Sequence, residues 1–268
     1  MTNDETQTFV LRRSSSAVFL TYNILDGGRG REKELFEIIT AQNADVILLQ
    51  EVAEKKFVVE LAACLNANYF IAESNSWRTI AVLSRLPIRD ASSFHPRILR
   101  HTCLQATLEY APQKTFSIFG VHLAAPAYTF LVELYRLREL NLILKQMEQA
   151  RGGKIILAGD FNSIAPGDKT DFSYLPLSLR LSVFLRGGYI ARQAIARIRA
   201  GGFIDVFRTM NPNEGGYTLP ASQPNTRLDY FFVNDALRHN LRACEVVVTP
   251  SGVQRASDHL PVRMELDL

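Results

Sequence analysis

The stretch KIILAGDFN, residues 154–162, decides how this chain is read. After Lys154, four apolar residues run without a break between Gly152-Gly153 and Gly159. An apolar run that short, bounded by glycines, reads as a buried strand rather than a helix. It delivers a carboxylate, Asp160, and an amide, Asn162, to its end. If the chain stays extended, both side chains point the same way, because strand side chains alternate with period two. A turn held by local Asp and Asn hydrogen bonds is the equal alternative. In the first case the pair could hold a water molecule and a phosphoryl oxygen side by side.

The pattern of an apolar strand closing on a polar group recurs on both sides of this stretch. Residues 17–24 (AVFLTYNI) place Asn23 just before the Asp26-Gly27-Gly28 turn signal, and residues 45–50 (DVILLQ) run into Glu51. A carboxylate at the lip of a buried strand is costly unless a cation or donor compensates it. Exposure to water, or capping of a helix starting near residue 54, is the plainer reading of Glu51. His122 lies in IFGVHL (118–123), and RLDYFF (227–232) sets Arg227 and Asp229 two apart at another strand start. That last pair is either a second same-face site or a salt-bridged edge of small energetic value. SDHLP (257–261) carries Asp258 and His259, and Pro261 favours an extended exit from their loop. A histidine held there could act on phosphate as a cation or proton donor near neutral pH. It would need a carboxylate to fix its tautomer, and Asp229 or Asp258 could serve. A histidine taken singly, His122 and His259 included, is more often a satisfied surface or core residue. His95, His101 and His239 fit no pattern.

Between these points, helical spacing appears at 32–41, 54–66 and 128–150. Short strands appear at 69–72, 79–84, 91–94, 103–110, 116–123, 228–233, 242–248 and 262–266. Strands outnumber helices and many are joined by short turns, which suits an α+β arrangement of two sheets with helices outside. No repeat or low-complexity linker interrupts the chain, so residues 1–268 are expected to form a single domain.

Composition sets the limits. The chain has 268 residues, 47 % apolar and 21 % charged, enough for a sizeable core and against disorder as its dominant state. A net charge of +3 is too small to announce a nucleic-acid binder. Three scattered cysteines, Cys64, Cys103 and Cys244, make neither a disulfide framework nor a Cys-rich zinc site. No apolar run approaches the ~20 residues of a membrane span, and the polar start lacks the order of a signal peptide. A soluble, cytoplasmic chain is expected.

One segment, about 171–204, departs from the rest. Between Asp171 and Asp205 there is no acidic residue, while Arg180, Arg186, Arg192, Arg197 and Arg199 all lie there. Its first half, 175–185, alternates apolar residues as a strand or packed flap would, with a lipid-inserting lip as the alternative. Its second half, 189–199, spaces Ile190, Ala194 and Ile198 as a helix face. Residues 175–199 could form a basic wall for nucleic-acid phosphates or an anionic membrane surface, or a scaffold whose arginines are merely solvated. Trp77 and Tyr217 are candidate stacking rings with nothing in the sequence to place them.

Seven pieces taken in order (TYNI, LQE, AVLSRLPI, VHL, GDFN, RLDYFF and SDHLPV) span Thr21 to Val262. Together they resemble the endonuclease/exonuclease/phosphatase family, the deoxyribonuclease-I-like phosphoesterases. The resemblance implies a four-layer α/β sandwich of two packed, mainly antiparallel sheets flanked by helices, with the site at one sheet edge. It implies a divalent-metal-dependent hydrolase that uses Mg²⁺ or Mn²⁺, one ion or two, for attack of water on a phosphate ester, a phosphodiester in preference. Carried over by motif, Glu51 would be the principal metal ligand, Asn23 would lie at or beside metal and phosphate, and Asp258 would be a second acidic group there. Asp160 would orient or deprotonate the water, with Asn162 positioning water and phosphate. His259 would contact the scissile phosphate with Asp229 orienting it, His122 would stabilise charge or assist the leaving group, and Arg227 would bind substrate. The string His122-Leu123-Ala124-Ala125 is closer to the deoxyribonuclease, deadenylase, sphingomyelinase and inositol-phosphatase branches than to abasic-site or tyrosyl-DNA enzymes. The partner is thus a nucleic acid, a phospholipid or an inositol phosphate, and no protein partner is inferred. A phosphomonoesterase of lipid or inositol phosphates, and a non-catalytic relative that binds phosphorylated ligands, stand as alternatives.

Overall fold

The computed structural model describes residues 16–126, 130–170, 177–185 and 192–268. Two apolar strand–helix–strand units organise it. In the first, β1 (Ser16–Asn23) is followed by α1 (Glu32–Ala41) and then β2 (Val46–Val52), and the crossover sets β2 parallel to β1. In the middle of the second sheet the plan repeats: β7 (Lys114–His122), α3 (Phe130–Met147) and β8 (Lys154–Asp160), with β8 parallel to β7. Parallel neighbours need such a crossover, whereas antiparallel ones need only a turn.

Between these units lie α2 (Lys55–Leu65), β3 (Asn68–Ile71), β4 (Thr79–Ser84), β5 (Ile88–Phe94) and β6 (Cys103–Ala111). After them come α4 (Leu177–Leu185), α5 (Gln193–Ala200), β9 (Ile204–Asp205), α6 (Val206–Met210), β10 (Asp229–Val233), β11 (Leu241–Val246), α7 (Val253–Ala256) and β12 (Val262–Asp267). One six-stranded sheet has the order β11-β12-β1-β2-β4-β3, the other β5-β6-β7-β8-β10-β9. Each has its parallel pair at the centre and antiparallel neighbours on both sides.

Strand alternation explains the layers. Phe19, Leu48, Ile118, Ile156 and Phe231 face one way and form the core between the sheets. Their neighbours Leu20 and Ile47 face outward onto Leu35, Ile38, Phe57 and Leu61 of α1 and α2. Phe119 and Leu157 face outward onto Leu140 and Ile143 of α3 and Ile195 and Ile198 of α5. Three apolar layers therefore hold four structural ones, each large buried side chain contributing about 1.5–3 kcal/mol. This is the four-layer sandwich expected from the resemblance.

The structure corrects the reading of the 171–204 segment. Residues 177–185 are a helix, not a strand or flap. The alternation hid a helical spacing in which Leu177, Leu181, Phe184 and Leu185 fall at i, i+4, i+7 and i+8. The expected helix over 189–199 is observed as Gln193–Ala200; Leu175, Arg186, Tyr189 and Ile190 lie outside the described residues. Among the described residues, no helix is long and apolar enough to cross a membrane.

Candidate active site

The sheet plan brings six strand ends to one edge. Asn23 and His122 close β1 and β7, Asp160 closes β8, and Glu51 lies next to the end of β2. Because β10 runs antiparallel to β8, its first residue, Asp229, pairs with Asp160. The loop before β12 delivers His259 to the same end, since Val262 pairs with Thr21 of β1.

Local backbone is specialised here. Gly159 sits at φ 137°, and a Cβ on it would come within 2.0 Å of the Val121 carbonyl oxygen, so only glycine lets β8 lie this close to β7. Glu51 (φ 59°) and Asn162 (φ 48°) adopt the left-handed region without being glycine, a strain held by their surroundings. For Asn162 the cause is visible: its backbone N–H donates to Asp160 Oδ1 at 2.9 Å. Asp160 and Asn162 are therefore brought together by a local turn, not by strand alternation, so of the two readings of GDFN the turn is the one observed. The Asn162 amide then donates to Asp160 Oδ2 at 3.2 Å and to the Leu123 carbonyl at 3.1 Å.

Asp160 Oδ2 is the focus of the cluster. It accepts from Asn23 Nδ2 at 3.0 Å, while His122 Nε2 and His259 Nε2 stand 3.6 and 3.7 Å away. Those two separations are beyond hydrogen-bond range. Asn23 Nδ2 also reaches Glu51 Oε1 at 3.4 Å, and its carbonyl oxygen is taken by the Leu25 N–H. His259 Nδ1 is 2.8 Å from Asp229 Oδ2. A cleft of about 390 Å³ opens over these groups, lined by Glu51, His122, Asp160, Asn162 and His259 and rimmed by Trp77, Arg78 and Arg100. Asp258 is on the rim and exposed.

Residues 20–259 match the Endonuclease/Exonuclease/phosphatase family. The chain belongs to that family. It superposes on a 3′ phosphatase, NExo, from Neisseria, solved with a product DNA hairpin (TM-score 0.73, 19 % identity, 94 % of this chain and 100 % of that one). It is similarly close to an AP endonuclease from Archaeoglobus fulgidus (0.72, 18 %, 94 % and 100 %). A family member from Beutenbergia cavernae gives 0.73 at 21 %, over 94 % of this chain and 72 % of that one. At these identities the likeness is one of fold. No curated protein matches the chain.

The charge states of this family member's cleft follow from burial and neighbours. Burial raises the Glu51 carboxyl, against the Asp26 N–H at 2.9 Å and the Arg78 guanidinium, whose Nη1 lies 3.1 Å from Oε1. Burial likewise lifts Asp160 to about 7; His259 opposes that rise and Asp229 adds to it. Burial works against a charge on His259, but Asp229 and Asp160 outweigh it and raise the imidazole to about 10. Burial, then the neighbouring His101 and His259, keep His122 well below the usual histidine range and therefore neutral. Asp160, Asp229 and His259 offer ligand atoms within 4.8 Å of one another. With both carboxylates holding the His259 imidazole toward its protonated form, that trio resembles an acid–imidazolium–acid array. A hard cation is better matched by oxygen donors such as Glu51.

Several residues of the site escaped the sequence reading. Arg78 bridges Glu51 and Asp26. His101 stacks on His122 with ring centroids 4.3 Å apart and 4° between planes, and its Nδ1 is 2.7 Å from Ser76 Oγ. Ser257 Oγ, in the loop before β12, donates to the Asn23 backbone carbonyl at the end of β1 at 2.7 Å. Only register reveals the first two: Thr79 pairs with Val52, and Cys103 with Val121. Of the candidate rings, Trp77 lines the cleft and Tyr217 does not. Arg227, expected at the substrate, is drawn away from the cleft. The chain at 227 precedes the β10 ladder, so period two does not carry from Asp229 back to it. Its guanidinium, 1 % exposed, is committed to Asp205 and Asp168.

Proposed function

We propose that this chain is a divalent-metal-dependent phosphodiesterase, using Mg²⁺ or Mn²⁺, that cleaves its ester by in-line attack of water. What supports the reading is one arrangement. Around Asp160 Oδ2, two amides donate at 3.0 and 3.2 Å, while two imidazole nitrogens stop short at 3.6 and 3.7 Å. The imidazoles thus face the same cleft without being consumed by the carboxylate, and phosphate oxygens entering between them would find both.

In this reading Asp160, with its proton affinity lifted to about 7, is matched to aligning the water and taking its proton near neutral pH. Asn162, pinned by the Leu123 carbonyl, holds water and phosphate in line. His259 is kept cationic by Asp229 and meets the charge that grows on the phosphate oxygens, a preorganised contact of the kind worth about 2.7–4 kcal/mol of barrier. Neutral His122, clamped by His101, faces the leaving oxygen. Glu51 would hold the metal with Asn23 beside it, and Asp258 is the remaining acid on the rim. When bound, the ion would supply charge compensation at phosphate and a more acidic water.

Nucleic acid is the first substrate class to test, since two of the fold neighbours are named for work on DNA; Trp77, Arg78 and Arg100 at the mouth suit bases and phosphates. The full chain should hydrolyse bis(p-nitrophenyl) phosphate with Mg²⁺ or Mn²⁺ and stop in EDTA, with plasmid DNA, RNA, sphingomyelin, phosphoinositides and nucleotides run alongside. Inactivity on all of them with either ion removes the proposal. Independently of turnover, Mg²⁺ or Mn²⁺ should raise the melting temperature of the wild type and not of Glu51→Gln.

A further inference from the structure

Among the described residues, the exposed large apolar side chains concentrate on two helices. Leu131 and Leu134 come from the first turns of α3, and Leu177, Leu181, Phe184 and Leu185 from α4. Leu177, Phe184 and Leu185 are 77, 76 and 75 % exposed, and with Leu181 they share one helical face. A helix on a globular surface normally turns such a face inward. This one is turned out.

The two flanks of the segment that carries α4 are held beside α3. Glu133, between the exposed leucines of α3, accepts from Ser163 Oγ at 3.2 Å and from the Ala194 N–H at 2.7 Å. Arg192 donates to the Ala165 carbonyl. Residues 163–165 and 192–194, on either side of the segment that carries α4, therefore lie beside the first turn of α3. The next turn is tied to the active-site wall, where Arg136 donates to the Ala124 and Pro126 carbonyls at 2.6 and 2.9 Å, and Pro126 lines the cleft.

The charge of the segment selects the occupant. Nothing between Asp171 and Asp205 is acidic, and Arg180, Arg197 and Arg199 are exposed. A second copy packed on this face about a twofold axis would set arginines against arginines. A bilayer with anionic headgroups would meet both features at once, taking leucine and phenylalanine into the acyl boundary and guanidinium groups onto phosphate. We infer that the outward face of α4, with the first turns of α3, docks this protein on an anionic lipid surface beside the mouth of its cleft.

Flotation of the full chain on phosphatidylcholine vesicles with and without phosphatidylglycerol tests this, and needs no turnover. The protein should float with the anionic vesicles, less so in high salt. Leu181→Asp/Phe184→Asp should weaken that binding ~10-fold or more by removing two buried apolar anchors, with an unchanged melting temperature because both sites are exposed. Arg180→Glu/Arg199→Glu should abolish the preference for anionic lipid. Wild-type protein that stays with the soluble fraction overturns the inference, as do variants that float equally well. A dimer in light scattering that Leu181→Asp/Phe184→Asp converts to monomer would assign the face to a second copy and also overturn it.

Discussion

Arg227 and Asp229 stand two residues apart, both almost wholly buried, yet they belong to charged clusters of opposite kinds. Arg227 gives two parallel bonds to Asp205, at 2.8 and 2.7 Å, and a third to Asp168 at 2.8 Å. Arg208 takes the other oxygen of Asp168 at 3.1 Å, and the Tyr230 ring lies 4.5 Å from the Arg227 guanidinium. Two cations meet two carboxylates, and none of these side chains is among the buried polar atoms left without a partner. Around Asp229 the balance differs. Three carboxylates (Glu51, Asp160 and Asp229) meet two imidazoles and, at Glu51 alone, Arg78; both histidine Nε2 atoms stand clear of Asp160, and Asp229 Oδ1 is buried with no hydrogen bond. Saturation separates the two. A cluster whose donors and acceptors are all spent braces the fold, and one with spare capacity facing a cleft is free to act on something else.

That contrast can be broken at either cluster. The largest effect is expected at the closed one: Arg227→Ala should lower unfolding free energy by about 3–5 kcal/mol, because it strands two buried carboxylates, read as the shift of a urea midpoint. A loss below ~1 kcal/mol would show that this cluster does not brace the fold after all. Next, Asp160→Asn at the open cluster should raise the barrier to hydrolysis by about 2.7–4 kcal/mol while leaving the urea midpoint unchanged or higher, since it removes a buried charge. If it unfolds the protein as Arg227→Ala does, the distinction fails.

The smallest effect sharpens the comparison through pH. Burial, then Arg100 and Arg78, lower the folded-state His101 to about 4 from 6.5. The unfolded chain then takes up a proton that the folded chain refuses, so stability should decline as pH falls from about 6.5 toward 4 and be unaffected above that window. His101→Phe keeps a ring against His122 and should remove about 1–3 kcal/mol of that acid-side decline, measured as melting temperature against pH. An identical acid slope in both proteins would detach His101 from the cleft's electrostatics.

The ends of strands were the most legible part of the molecule. Thr79–Ser84 occurs as read, and Asn23, Glu51, His122 and Asp160 sit at or next to strand ends as their apolar neighbours suggested. Less legible was anything whose signal is shared by two structures. The 175–185 alternation satisfies a strand pattern and, at Leu177, Leu181 and Leu185, a helical one, and its described part, 177–185, is helical. GDFN reads as a choice between an extended pair and a turn, and the turn is what brings Asp160 and Asn162 together.

Local patterning alone determined where this chain is apolar and extended, and which polar groups close those runs, because alternation and glycine punctuation act over a few residues. Only the tertiary structure decided that Arg78 and His101 join the cluster, that Arg227 leaves it and that the apolar face of α4 turns outward. Those outcomes depend on strand register, on carboxylates such as Asp205 and Asp168 at distant positions, and on which faces find a neighbour. None of these is encoded within the few residues on either side.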